Sequence, residues 1–154
     1  MTITTNERNR MITELLNETI FSFQNIVPMT FEISRPQLRT NPVNIQFGVL
    51  IGMTGDIRGH LVLSGKSSLF QTIGEKMFGM VLDGPMLSSF TGELGNMLAG
   101  KLFTVISEKG SLVNITPPTI IEGDTSLSGF NRAIQLDFNN PTEGTIHLYF
   151  LLEM

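Results

Sequence analysis

The sequence predicts an α/β (α+β) fold: a two-layer sandwich with a mainly antiparallel sheet and helices on one of its faces. Three observations carry that prediction. Several stretches alternate apolar and polar residues with period two, as in Thr145-Ile-His-Leu-Tyr-Phe-Leu-Leu152, the pattern of strands covered on one face. Other stretches repeat apolar residues every three or four positions, the pattern of helices. The two kinds succeed one another as helix, three strands, helix, then helix and three strands, a pseudo-duplicated helix–βββ unit.

Each element has its own justification. Residues 6–25 predict a first helix, because Ile12, Leu15, Leu16, Thr19, Ile20 and Phe23 recur at helical spacing and Pro28 follows the end. A first strand is predicted where Val27, Met29, Phe31 and Ile33 alternate with polar neighbours and Pro28. A second strand places Phe47, Val49, Ile51 and Met53 on one side, and Thr54-Gly55-Asp56 turns it into a third strand near His60–Ser64. Residues 67–80 predict a second helix with Leu69, Phe70, Ile73, Met77 and Phe78 as its stripe, stopped by Gly79. A central helix is predicted from Ser89 to Ser107, closed by Gly110. Three strands complete the chain: Leu112–Thr116, ended by Pro117-Pro118; Phe130–Phe138; and a last strand with Ile146, Leu148, Phe150 and Leu152 inward. Phe130 is expected on the same side as Ile134, Leu136 and Phe138.

The bulk numbers narrow the function. The 154 residues read as one domain, 1–154, and a chain of this size buries about 70% of its extended surface without staples. No cysteine is present, which excludes disulfides, thiolate metal sites and cysteine nucleophiles. The net charge is −4 and the ten Lys and Arg residues are scattered, so no basic footprint for nucleic acid exists. The opening MTITTNERNRM lacks the apolar core of a signal peptide, and no apolar run reaches the roughly 18 residues of a membrane span. A cytoplasmic protein with no membrane segment is expected. Hydrophobic residues make up 41% and charged ones 16%, enough apolar face to meet a partner.

The most informative stretch is Glu93-Leu-Gly-Asn-Met-Leu-Ala-Gly100. Residues three, four and seven apart share a helix face, so Glu93, Asn96 and Gly100 line up, with Ser89 and Thr104 extending the strip. Leu94, Leu98, Leu102 and Val105 form the anchoring back. Gly92, Gly95 and Gly100 each cost about 1 kcal/mol against alanine in a helix, which suggests that something approaches this helix closely. Asn is neither acid nor base near neutrality, but its amide holds a water by one donor and one acceptor. Glu93 falls in the first turn or so of the predicted helix, where the dipole favours a carboxylate, and it is suited to grip a cation. The pair lacks a nucleophile and a metal cage, so as a hydrolase it needs a partner that brings them. By itself, a Glu and an Asn on one face also fit a solvated stripe.

The other candidates are weaker. His60 and His147 lie on separate strands with no metal-ligand spacing around them and read as surface residues. Ser64, Ser67, Ser88 and Ser89 sit in no Gly-x-Ser-x-Gly elbow. Gly52-Met-Thr-Gly-Asp-Ile-Arg-Gly59 reads as hairpin chemistry rather than a phosphate loop. Pro117-Pro118 reads as the end of a strand, with a pin that holds the chain near the central helix as the alternative.

The Glu93–Gly100 stretch and the apolar-and-small helix through Ser107 resemble the motif helix of the CheC/CheX/FliY phosphatases of bacterial chemotaxis, CheX most of all. The family pattern is Asp or Ser, then Glu four residues on, Asn three further, and a proline some twenty-odd residues downstream. Here these fall on Ser89, Glu93, Asn96 and Pro118, the proline displaced by about one. The order of elements and the hairpin into Leu61-Val-Leu-Ser64 are also similar. The resemblance implies an aspartyl-phosphate phosphatase acting on a phosphorylated CheY-type response regulator. It implies that Glu93 pairs with a regulator lysine and that Asn96 orients the attacking water. Ser89, Gly92, Gly95, Gly100 and Thr104 would contact the partner. No metal or cofactor is expected on this chain; Mg²⁺ is expected on the regulator. Relatives are often homodimers, which the polar and aromatic edge near His147 and Tyr149 allows. Glu14-Leu-Leu-Asn17 in the first helix echoes the motif, but Arg10, Leu16 and Phe21 stand where Ser89, Gly95 and Gly100 would be and argue against a second working site. The rival readings are a regulator-binding module without catalysis and a structural domain whose strip is solvated surface.

Overall fold

The amphipathic stretches become three helices, α1 (Thr5–Ile26), α2 (Ser67–Phe78) and α3 (Pro85–Glu108), packed on one face of an antiparallel sheet. The structure is a computed structural model that describes residues 5–153. The strands are β1 (Glu32–Ile33), β2 (Gln37–Arg39), β3 (Val43–Gly55), β4 (Gly59–Ser64), β5 (Val113–Ile115), β6 (Thr119–Leu127), β7 (Arg132–Asn140) and β8 (Gly144–Leu152).

The doubling predicted from the order of elements is visible in the sheet. Its middle runs β7-β8-β4-β3, with β1 and β2 both bordering β7, and β5 and β6 both bordering β3. Each half therefore contributes a helix, a broken edge strand and a hairpin. The edge strands are exchanged: β1 and β2 of the first half pair with β7 of the second, while β5 and β6 pair with β3 of the first. The β4–β8 ladder, with Leu61 opposite Phe150 and Leu63 opposite Leu148, joins the halves at the centre.

Alternation decides which side chains meet the helices. Val49, Ile51 and Met53 of β3, Leu61 and Leu63 of β4, Leu136 and Phe138 of β7 and the even residues Ile146–Leu152 of β8 all enter the helix-side core. Helix α1 adds Ile12, Leu15 and Phe23, and the Phe23 ring stacks on Phe138 with centroids 4.1 Å apart. Each such side chain contributes about 1.5–3 kcal/mol on full burial.

The opposite face, which the alternation leaves to be wet or paired, is partly covered by the chain itself. Val62, Ala133, Tyr149 and Leu151 point to it and are buried together with Val43, Ile45, Ile121 and Phe130. Val43 and Ile45 share parity with the helix-facing Phe47 and Val49, yet pack on the other side, so β3 turns over near Gln46. The register of β3 against β6 shifts at this point, where Gly123 takes a φ of 95° that favours glycine. The outer arms of β3 and β6 thus curl over the back of the sheet.

Three predicted boundaries are corrected. The first strand shrinks to Glu32–Ile33, with Gln37–Arg39 pairing separately beyond Pro36. Residues 119–127, to which the sequence reading assigns no element, form β6. Phe130 precedes β7 and turns to the back cluster, away from Ile134, Leu136 and Phe138. Tyr149, expected at an open edge, is covered by the chain's own arm.

Candidate functional site

Helix α3 starts two residues past Asp83, with Gly84 at φ 55° before it and Pro85 in its first turn, where a missing N–H does no harm. It ends on Gly110 at φ 95°, whose N–H donates to Ser107 O at 3.0 Å while the Ser111 N–H donates to Ile106 O at 3.3 Å. That pair of bonds satisfies the last carbonyls and stops the helix. Between these ends Leu87, Phe90, Leu94, Leu98, Leu102 and Ile106 are buried, and Val105 is only half-buried. The Ser88 hydroxyl donates to Glu122 of β6, a second tie between helix and sheet. A helix held by this many buried side chains presents its outer face rigidly.

That outer face carries the predicted strip. Ser89, Glu93, Asn96 and Thr104 are exposed and Gly100 is half-buried. Glu93 and Asn96 stand one turn apart, and neither side chain has a hydrogen bond or ion pair with any other described residue. The Thr104 hydroxyl donates to Gly100 O at 2.8 Å and so is occupied within the helix. Glu93 is the ninth residue of α3 rather than part of its first turn, so the helix dipole expected to favour it acts too far away.

The three glycines divide. Gly100 has nothing within 4 Å of the point its Cβ would occupy, so the strip is level and open there. Gly95 is buried, and a Cβ would stand 2.7 Å from Val49 Cγ1 and 3.3 Å from Ile51 Cδ1. Gly92 is buried as well, with its Cβ position 3.2 Å from Ile120 Cδ1 and 3.6 Å from Pro118 Cγ. The expectation that Gly92 and Gly95 contact a partner is therefore corrected. Both let the chain's own sheet and the Pro118 segment approach the helix. The signal was present in the spacing: Gly95, two residues from Glu93, is about 200° around the helix from it, and Gly92, one residue away, about 100°. Pro118, read as the end of a strand, also packs against α3.

The remaining candidates lie elsewhere. His147 Nδ1 is 2.7 Å from Asp137 Oδ1, and Gln135 Nε2 donates to the same oxygen at 2.8 Å while Arg39 Nε donates to Gln135 Oε1. Burial pushes the neighbouring Tyr149 hydroxyl above its ordinary pKa; the Asp137 charge adds to that and Arg39 opposes it. Ser64 sits opposite His147 in the sheet, and His60 is opposite Leu151. Among the described residues no group of His, Asp and Glu has metal-binding geometry, and no helix is long and apolar enough to cross a membrane. A broad concavity bordered by Asn44, Phe47, Lys66, Glu122, Glu143 and His147 excludes the strip.

A family model described as "Chemotaxis phosphatase CheX" matches residues 47–149, which include the whole of α3. The chain belongs to this family. CheX of Thermotoga maritima, described as a CheY-P phosphatase, is 37% identical over 105 residues, covering 65% of this chain and 67% of that protein. The fold of this chain matches that in the CheX–CheY–BeF3–Mg²⁺ complex of Borrelia burgdorferi with a TM-score of 0.79 at 21% identity, covering 94% of this chain and 98% of the other. FliY of Thermotoga maritima matches with a TM-score of 0.60 at 16% identity, over 98% of this chain and 92% of that one.

Proposed function

We propose that this protein dephosphorylates a phosphorylated CheY-type response regulator by laying α3 into the regulator's phosphoacceptor site. One observation carries the reading: a carboxylate and a carboxamide, Glu93 and Asn96, stand a turn apart on an anchored helix, exposed and free of partners among the described residues. Family membership and the CheY-P phosphatase description of the Thermotoga maritima relative support it.

The division of labour follows from the side chains. Aspartyl phosphate is a reactive covalent species on the regulator. Mg²⁺ belongs to that partner, where it neutralises phosphoryl charge. This chain supplies placement. The Glu93 carboxylate pairs with a regulator lysine and fixes the register of the helix. The Asn96 carboxamide accepts one hydrogen bond from a water and donates another, aiming its lone pair at phosphorus, as a glutamine does in GTPases. Water oxygen bonds to phosphorus, the bond from phosphorus to the aspartyl oxygen breaks, and the water's proton leaves with the inorganic phosphate. Ser89, Gly100 and Thr104 border the contact. Holding one water in line is worth on the order of 10²-fold.

The test follows phosphate release from phosphorylated regulator with Mg²⁺. Asn96→Ala is expected to lose turnover while keeping regulator binding, and Glu93→Ala to weaken binding. Equal turnover by wild type and Asn96→Ala removes catalysis from this helix.

A further inference from the structure

Seven large hydrophobic side chains are exposed among the described residues, and four of them fall within residues 78–86: Phe78 (58%), Met80 (52%), Val81 (63%) and Met86 (52%). Three of these belong to the end of α2 and the loop to α3, and Met86 lies in the first turn of α3 itself. Met86 is seven residues before Glu93, two turns up the same face, with Ser89 between them. Met86 therefore extends the strip toward the loop that carries Met80 and Val81, and Phe78 packs on Phe90, the residue next to Ser89.

This apolar shelf is built, not frayed. The Phe78 ring meets Phe90 edge-on with centroids 5.8 Å apart, and Phe90 is buried beside Ser89. Gly74 lets the loop seat on α2, since a Cβ there would stand 2.7 Å from Leu82 Cδ1 and 3.3 Å from Phe90 Cδ2. Leu82 is itself 5% exposed, and its carbonyl accepts a hydrogen bond from Gln71 Nε2 at 3.2 Å. The Gly79 N–H donates to Glu75 O at 2.7 Å and closes α2. Met80 and Val81 are thus held outward by a loop pinned at the next residue. Apolar groups fixed in water beside a polar strip mark a surface that another molecule covers.

We propose that Phe78, Met80, Val81 and Met86 form the affinity half of the regulator-docking surface, covered by apolar side chains that border the regulator's phosphoacceptor site. The proposal rests on the reading of Glu93 and Asn96 given above. Its occupant follows from continuity: a molecule that lies over Ser89 and Glu93 meets Met86 within a turn, and Phe78 packs on Phe90, the residue next to Ser89. Its chemistry follows from the shelf, which offers two methionines, a valine and a phenylalanine. Methionine adapts to an irregular apolar partner. The shelf touches no reacting atom, so it binds phosphorylated substrate and transition state equally. It acts on Kd and KM and leaves kcat alone, whereas Asn96 acts on kcat.

The experiment uses the full chain and the CheY-type regulator of the same organism, phosphorylated for turnover and held with beryllofluoride and Mg²⁺ for binding. The double variant Met86→Gln/Val81→Gln alters two exposed side chains. Leu112→Gln, at a distant exposed apolar residue, is the control. The double variant is expected to raise Kd and KM about tenfold, with kcat within twofold of wild type, and the control is expected to change neither. Unchanged Kd and KM in the double variant, with Asn96→Ala still impaired, overturn the shelf and leave the strip standing. A drop in oligomeric mass by light scattering with unchanged Kd makes the shelf a self-association face and overturns it as well. Full turnover by Asn96→Ala defeats the reading of the strip, and the shelf falls with it.

Discussion

Helices α1 and α3 occupy equivalent places in the two halves, and each shows a Glu and an Asn three residues apart, yet their surroundings differ. Glu14 Oε2 lies 3.8 Å from Lys109 Nζ, a lysine that caps the end of α3. Glu93 has no such counter-charge within the described chain. The place that Gly100 leaves open on α3 is filled on α1 by Phe21, which stands 62% exposed. Gly95, against which the sheet closes, has Leu16 as its counterpart. Residue identity is thus nearly the same in the two pairs. What separates them is clearance and the absence of an internal partner. A group that the fold leaves unsatisfied and unobstructed is available for intermolecular work; one already paired is part of the scaffold.

The largest expected contrast is in turnover. Asn96→Ala should lower kcat for phosphate release about 10²-fold, and Asn17→Ala should leave it within twofold; equal losses would make α1 a second working helix. The next contrast is in packing. Gly95→Leu, which gives α3 the residue of α1, drives a side chain into Val49 and Ile51. It should destabilise the fold by about 2 kcal/mol, read as a lower midpoint in urea, and unchanged stability would mean that the helix can lift from the sheet. The third compares the carboxylates. Glu93→Ala should raise the Kd for activated regulator about tenfold. Glu14→Ala should leave Kd unchanged and lose less than about 1 kcal/mol of stability, since its ion pair is largely solvated. The smallest effect is at Gly100. With open space for a Cβ, Gly100→Ala should stabilise the helix by about 0.5 kcal/mol while raising Kd a few-fold, measured by thermal melting and by titration on the same sample.

Much of this was legible in the chain. The helices, the β3–β4 hairpin and the inward residues of β8 follow from periodicity, because each of these segments buries one face only. Ser89, Glu93 and Asn96 were legible for the same reason: helical spacing fixes which residues share a face. β6 was not legible, since its two adjacent isoleucines serve different faces of a strand that turns over at Gly123. The two-sided core was hidden for a related reason, because alternation identifies a face without saying what will fold back to cover it. The glycines of α3 were misjudged through their rarity alone. Their angular position distinguishes Gly95, closed by the sheet, from Gly100, open to the outside.

The exchange of edge strands has a consequence for cutting the molecule in two. A break in the loop between Phe78 and Pro85 separates the halves in sequence, but each fragment leaves behind the border of the other's ladder. Neither piece carries a complete sheet, so the fragments should gain structure only on mixing. The half that lacks the exposed Glu93–Asn96 strip is then a scaffold in the strict sense: it is the template on which the other half closes.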